Sequence, residues 1–157
     1  PEEAPGDSLG RHEHTRRAPR VIDRLRALER SPLIEAAISR TEELAKTPPW
    51  AGERVWVHGD LYGRHLLCGA DGALTGIIDW GDMHAGDRAL DLSIAWSFLP
   101  RQAHADFLAR YGPVDRDTWA RARFRSLHYG PFLILYGQDV EDPAIEEVGR
   151  LAIEQAI

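Results

Sequence analysis

Apolar residues recur every three or four positions over most of the chain, which is the pattern of helices that bury one face. The first such stretch covers residues 20–30, and the second runs from Pro32 to about Lys46. Ser31 followed by Pro32 is typical of an N-cap with proline in the first helical turn. Residues 1–19 show little apolar periodicity, so we expect them to be irregular or the cut end of a longer chain.

The middle of the chain changes to short apolar runs, which are typical of strands. These runs are RVWV (54–57), HLLC (65–68) and ALTGIID (73–79). The residues GADG (69–72) between the last two runs predict the tight turn of a β-hairpin. Because a hairpin returns its second strand beside the first, we expect Asp60, His65 and Asp79 to lie close together.

Helical spacing resumes after Gly86 and continues to the end of the chain. The predicted helices lie around residues 90–98, 100–111, 115–136 and 143–157. Asp115 and Asp142 stand where N-caps are expected. The sequence therefore predicts an α+β fold that is mostly α-helical, with one small β-hairpin embedded in it.

Composition limits the class of protein. The chain has 157 residues, 43% of them hydrophobic and 28% charged, as in one soluble globular domain. The single cysteine, Cys68, excludes an internal disulfide framework and predicts a reducing, cytoplasmic location. No run approaches the roughly 18 apolar residues of a membrane span. The net charge of −6 argues against a general nucleic-acid binder.

Residues that could act as a catalytic base or bind a metal ion are concentrated in the segment HGDLYGRH (58–65). Asp60, on a glycine-flanked loop, is a candidate general base for a hydroxyl group. His65 and Asp79 offer one nitrogen and a carboxylate to a divalent cation, and Mg²⁺ is usually held by few protein ligands together with phosphate oxygens. The same residues also fit a turn-forming aspartate and a hydrogen-bonded histidine.

Three ordered segments carry a family resemblance: VHGDLYGRHLL, LTGIIDWGD and GDRALDLSIAW. Together they resemble the carboxyl-terminal lobe of the aminoglycoside phosphotransferase family, which are small-molecule kinases with a protein-kinase-like fold. The resemblance implies such a lobe over residues 20–157, with the catalytic loop at 58–65 and the metal loop at 79–82. It also implies ATP as phosphoryl donor, Mg²⁺ as cofactor and a hydroxylated small molecule as acceptor.

The resemblance assigns a role to each motif residue. Asp60 matches the family's catalytic aspartate and Asp79 its metal-binding aspartate, while His58 and Asp91 match residues that support the catalytic loop. His65 stands where most members carry asparagine, and it is similar to the histidine of the macrolide phosphotransferase branch. The resemblance therefore implies that His65 is a metal ligand through a ring nitrogen.

The family builds its acceptor pocket mainly from the helices after the metal aspartate. The candidates for acceptor binding in this chain are accordingly Trp96, Tyr129, Tyr136, Asp139 and Glu141. The carboxylates would suit a cationic acceptor such as an aminoglycoside, a macrolide or another hydroxylated amine, and a neutral sugar remains open.

The chain lacks two parts that a kinase uses to clamp nucleotide. It has no G-x-G-x-x-G segment, and its only lysine, Lys46, ends a predicted helix. We therefore expect that the amino-terminal nucleotide lobe is absent, that the isolated chain binds ATP weakly and is nearly inactive, and that it self-associates through the face that this lobe would cover.

Two other functions remain open on the sequence alone. One is a metal-dependent hydrolase that uses His58, Asp60, His65 and Asp79 as a ligand cluster. The other is a non-catalytic pseudokinase or binding module. The intact Asp60 and Asp79 favour the kinase.

Overall fold

Six α-helices and four short strands form residues 4–157, the part of the chain that the computed structural model describes. The elements in chain order are α1 (His14–Arg26), α2 (Pro32–Leu44), β1 (Val55–Val57), β2 (Leu66–Cys68), β3 (Leu74–Ile77), β4 (His84–Gly86), α3 (Ala89–Ser97), α4 (His104–Tyr111), α5 (Arg116–Asp139) and α6 (Pro143–Ala156). The predicted α+β class with a helical majority is confirmed. None of the described helices is both long and apolar enough to cross a membrane.

Side-chain caps fix the starts of three helices where the sequence predicts them. Ser31 accepts a hydrogen bond from the N–H of Ile34 at the start of α2. Asp115 accepts one from Thr118 in α5, and Asp142 caps the first turn of α6. Each cap gives a partner to amide groups that the first helical turn leaves without one.

Helix α1 begins at His14, so the expectation that residues 1–19 are irregular is wrong for its last part; residues 1–3 lie outside the described residues. Polar contacts rather than apolar burial hold this first turn. The His14 ring bonds to the carbonyl of Thr47 at 2.8 Å, and the Arg17 guanidinium donates to the carbonyl of Gly10 at 2.8 Å. Hydrophobic periodicity does not detect such anchors.

Two antiparallel pairs of strands lie between the helices. Strand β2 pairs with β3, which confirms the predicted hairpin. Strand β1 pairs with β4, with Val57 opposite His84. The sequence did not predict β4, because His84–Gly86 has Ala85 as its only apolar side chain and so forms no apolar run. This second pair brings the end of β1, where the catalytic loop begins, against the segment that follows Asp79.

The main hydrophobic core surrounds α5 and α6. Its buried members include Val21 and Leu25 of α1, Leu127 of α5 and Ile153 of α6. Two glycines let α5 and α6 approach closely. A Cβ atom on Gly149 would lie 2.6 Å from the carbonyl oxygen of Gly130, and one on Gly130 would lie 2.5 Å from Cγ1 of Ile153. The contact between these helices therefore depends on both residues remaining glycine.

A buried histidine lies between α1 and α5. His128 is 3.5 Å from the Arg17 guanidinium through Nε2, and its Nδ1 has no hydrogen-bond partner within residues 4–157. Burial, together with the nearby cations of Arg125, Arg17, Arg24 and Arg20, lowers the pKa of His128 to about 2. His128 is therefore neutral in the folded protein at any pH near neutrality.

The close approach of α5 and α6 gives a first prediction. Gly149→Ala should lower the free energy of unfolding by about 1–3 kcal/mol, because its Cβ would meet backbone atoms that cannot rotate away. Chemical denaturation measures this change. The control is Gly76→Ala, whose Cβ would meet no atom closer than 3.5 Å, and which should cost less than about 0.5 kcal/mol. Equal effects in both variants would contradict the packing described.

His128 gives a second prediction. An unfolded histidine gains a proton below pH of about 6.5, whereas His128 in the folded state stays neutral down to about 2, so stability is lost as the pH falls through this window. The slope due to this residue is about 1.4 kcal/mol per pH unit. In urea denaturation between about pH 7 and about pH 5, His128→Gln should lose less stability than the wild type. Parallel pH curves would show that His128 is not the cause.

Candidate active site

The carboxylate of Asp91, in the first turn of α3, anchors the catalytic loop. Its two oxygens accept hydrogen bonds from the N–H groups of His58 at 2.7 Å and Gly59 at 3.0 Å. Burial raises the pKa of Asp91, and these two hydrogen bonds oppose the rise. The loop that follows β1 is thus attached directly to a core helix.

Gly59 permits the two loops of the site to touch. Its φ of +83° lies in the left-handed region. A Cβ atom here would also lie 2.7 Å from the carbonyl oxygen of Asp82 and 2.8 Å from the ring of His84. Any larger residue would therefore push the metal loop away from the catalytic loop.

His58 connects the two loops through its ring. Its Nδ1 accepts from the N–H of Asp60 at 3.3 Å, so Nε2 carries the proton and donates to the carbonyl of Ile78 at 2.9 Å. Trp80 packs against the same ring, with the centroids 4.8 Å apart. Both nitrogens are engaged, which leaves His58 no free atom for a metal ion.

The carboxylate of Asp60 faces α5. Its Oδ1 accepts a hydrogen bond from the hydroxyl of Tyr129, and Arg125 donates to the same hydroxyl at 3.0 Å and to the carbonyl of Gly59 at 3.4 Å. Burial raises the pKa of Tyr129 well above its usual range, so this hydroxyl keeps its proton. Sequence reasoning missed Arg125, although it lies one turn before Tyr129 on the same helix.

His65 and Asp79 come together as the hairpin predicted. The Nδ1 atom of His65 is 2.8 Å from the carbonyl oxygen of Asp60, and its Nε2 is 3.4 Å from Oδ2 of Asp79. A carbonyl can only accept, so Nδ1 carries a proton, and in the neutral ring the lone pair of Nε2 faces Asp79. Asp79 has a φ of 65°, a strained conformation for a non-glycine residue, and its side chain is 66% exposed.

This pair fits a magnesium ion that is completed by phosphate oxygens. Metal-binding histidines usually donate the N–H of their second nitrogen to a carboxylate, a backbone carbonyl or water, and His65 donates to a backbone carbonyl. Two atoms that each bind Mg²⁺ at about 2.1 Å can be at most about 4.2 Å apart, and the observed separation is shorter. No three His, Cys, Asp or Glu side chains within residues 4–157 converge into a metal cluster, so the four-ligand hydrolase site is not formed.

The acceptor candidates separate into three groups. Trp96 lies in a second core cluster with Leu92 and Ala122, and only 7% of this residue is exposed because α3 turns its indole toward α5. Trp96 is therefore a core residue and not part of an open pocket. Tyr129 is buried and reaches Asp60 rather than the surface. Tyr136, Asp139 and Glu141 are exposed at the end of α5.

Two exposed aromatic rings, Phe132 and Tyr136, follow the buried Tyr129 along α5. Tyr136 stacks on Phe132 with the ring planes 5° apart, and Tyr62 of the catalytic loop stacks on Tyr129. Arg64, also in this loop, pairs with Asp142 at 3.1 Å, which ties the loop to the start of α6. Tyr129 and Tyr62 therefore lie beside Asp60, and the exposed pair of Phe132 and Tyr136 follows farther along α5.

Three comparisons show what this chain is similar to. A model of the phosphotransferase enzyme family, APH, matches residues 2–125. The uncharacterized protein YcbJ of Bacillus subtilis (strain 168) is 29% identical over 72 residues, which cover 46% of this chain and 24% of that protein. A solved structure of a macrolide 2'-phosphotransferase type I resembles the fold at 20% identity with a TM-score of 0.56, covering 88% of this chain and 47% of that one.

The chain spans less than half the length of each of these two proteins. The family model nevertheless covers well over half of the chain and includes every residue of the two loops. The family that the three motifs resemble is thereby confirmed, and this protein belongs to the phosphotransferase enzyme family, APH.

Proposed function

We propose that this chain is the catalytic, carboxyl-terminal lobe of an ATP-dependent phosphotransferase that phosphorylates a hydroxyl group of a small molecule. One observation carries the proposal: a braced loop holds Asp60 beside the pair of His65 and Asp79. Phosphoryl transfer depends mostly on positioning and on charge stabilisation, and these three residues would provide both.

Asp60 would act as the base. Tyr129 holds one carboxylate oxygen, and the other forms no hydrogen bond within the described residues. That free oxygen would accept a hydrogen bond from the acceptor hydroxyl and take its proton during transfer. Asp91 and His58 would keep the loop in position through their backbone contacts.

His65 Nε2 and the Asp79 carboxylate would hold Mg²⁺. The ion, when bound, would neutralise negative charge on the phosphate oxygens. The hydrogen bond from His65 Nδ1 to the backbone carbonyl of Asp60 makes Nε2 the nitrogen that carries the lone pair in the neutral ring, and it links the metal ligand to the loop of the base. Because Asp79 is exposed, nucleotide can approach it from solvent.

The remainder of the nucleotide site would belong to an amino-terminal lobe that this chain does not contain. Lys46 follows the end of α2 and is not on a strand, so it does not replace the lysine that kinases place on the phosphates. Exposed apolar residues on the two strand pairs and in the segment after β3, among them Trp56, Leu67, Leu74 and Trp80, would lie under that lobe or self-associate without it.

The acceptor would lie along the aromatic surface that leads from Tyr62 to Tyr136. Aromatic faces bind sugar rings and cations, and the carboxylates of Asp139 and Glu141 favour a positively charged amine. A hydroxylated amine or sugar, such as an aminoglycoside or a macrolide, therefore fits best. We place the reaction in the cytoplasm, where ATP is available.

The metal pair gives a prediction that needs no activity. Mn²⁺ added to the labelled chain should broaden the NMR signals of His65 and Asp79 before others, and Asp79→Asn should weaken binding at least about tenfold. Asp106→Asn is the control, because Asp106 is exposed on α4. Broadening centred on Asp139 and Glu141 instead would contradict the assignment.

The proposed reaction gives a prediction about activity. In a screen of hydroxylated amines, sugars and macrolides with Mg²⁺–ATP, the longest polypeptide encoded by the gene should form a phosphorylated product, and the 157-residue chain alone should form little. Asp60→Asn should reduce transfer by about 10²–10⁴-fold, while Asp106→Asn should not. Hydrolysis of a phosphate ester with zinc retained after purification would instead support a hydrolase.

A further inference from the structure

We propose that Tyr129, held by Arg125, is a positioning residue that orients the Asp60 carboxylate for the acceptor hydroxyl. The inference deepens the proposed function, since it rests on Asp60 being the base. It replaces the expectation that Tyr129 contacts the acceptor.

Tyr129 and Arg125 are placed one helical turn apart on the face of α5 that meets the catalytic loop. The Tyr129 hydroxyl donates to Oδ1 of Asp60, and the Arg125 guanidinium donates to that hydroxyl at 3.0 Å. The guanidinium carbon also lies 4.3 Å from the centre of the Tyr129 ring, in cation–π contact. The ring therefore has two restraints from Arg125, one at its face and one at its oxygen.

The hydrogen bonds that link Arg125, Tyr129 and Asp60 can run in one direction only. A guanidinium donates and never accepts, and an ionised carboxylate accepts and never donates. The hydroxyl of Tyr129 must therefore accept from Arg125 and donate to Asp60. Each bond polarises the next, so the two together hold Oδ1 more firmly than either would alone.

The charge of Arg125 explains why this series of hydrogen bonds ends on Asp60. Arg125 is 5% exposed, its Nε has no hydrogen-bond partner in the described part of the chain, and its two acceptors, the carbonyl of Gly59 and the Tyr129 hydroxyl, are uncharged. A buried cation is costly without a compensating anion. The carboxylate that its hydrogen bonds reach is Asp60, through one hydroxyl.

One consequence concerns the two oxygens of Asp60. With Oδ1 turned toward α5, Oδ2 is the oxygen left for the acceptor. Without the hydroxyl of Tyr129, the carboxylate can rotate about its side-chain bonds, and the oxygen that should face the acceptor is no longer defined. Misplacing a reacting group by about 1 Å can cost about 100-fold in rate.

The first experiment measures the orientation of Asp60 by NMR in the isotope-labelled chain, without nucleotide or acceptor. In the wild type, scalar couplings should report a single χ1 rotamer for Asp60, and the Tyr129 hydroxyl proton should exchange slowly and show contacts to the Asp60 methylene. In Tyr129→Phe the Asp60 rotamers should average. Tyr111→Phe is the matched control, because Tyr111 is exposed on α4, and it should leave Asp60 unchanged.

Arg125→Lys keeps the charge but loses the flat fork, so it should restore only part of the rotamer order that Arg125→Gln loses. Hydrogen exchange in α5 and α6 identifies any variant that has simply unfolded. A wild-type Asp60 that already averages its rotamers, or one that keeps a single rotamer in folded Tyr129→Phe, would overturn the proposal.

Kinetics of phosphoryl transfer by the longest polypeptide encoded by the gene give the second readout. Tyr129→Phe should lower kcat by up to about 100-fold with KM for the acceptor unchanged, because the base is misplaced while binding is kept. A raised KM with unchanged kcat would mean that Tyr129 binds the acceptor, which overturns the positioning role. If the longest polypeptide encoded by the gene phosphorylates no acceptor, the proposed function fails, while the rotamer measurement still decides whether Tyr129 orients Asp60.

Discussion

The hydrogen bonds from His58 and Gly59 to the Asp91 carboxylate fix the site to the rest of the fold. Strands β1 and β4 have three residues each and form only a two-stranded pair, which is marginally stable by itself. Helix α3 is better supported, since it packs on α5 through the cluster that contains Leu92 and Ala122. The Asp91 carboxylate at the start of α3 therefore attaches the rigid helical core to a loop that has little regular structure of its own.

Three imidazole rings extend that support through the loops. His58 bonds to the carbonyl of Ile78, His65 to that of Asp60, and His84 to that of Asp82. These carbonyls lie outside the strand pairs, so side chains supply the partners that a sheet would otherwise provide. His65 differs from the other two because its second nitrogen faces a carboxylate, which is why it alone combines a structural bond with a metal-binding geometry.

The sequence predicted the parts of this molecule that depend on local chemistry. The caps at Ser31, Asp115 and Asp142 and the turn of the β2–β3 hairpin follow from residues that are neighbours in the chain. The family motifs identified both loops. The parts that were missed depend on contacts between distant residues: the first turn of α1, held by Thr47 across 33 positions, and the pairing of β4 with β1.

Aromatic residues show this limit most clearly. Trp96 and Tyr129 both lie at helical spacing, and periodicity gives no reason to treat them differently. Trp96 packs into a core cluster, whereas Tyr129 crosses 69 positions of sequence to reach Asp60. The difference depends on how α3 and α5 are rotated about their axes, and for α5 that rotation is restricted by the close approach of Gly130 to α6.

Helix α5 therefore connects the hydrophobic core to the candidate active site. It is buried on several sides, with Phe124 and Leu127 in the main core, Gly130 against α6, and Arg125 and Tyr129 against the catalytic loop. Successive residues of a helix differ by about 100° in direction, so these contacts cannot be adjusted independently. A change that rotates α5 to improve its packing also moves the Tyr129 hydroxyl that bonds to Asp60. The geometry of the proposed base is therefore set by the same interactions that stabilise the fold.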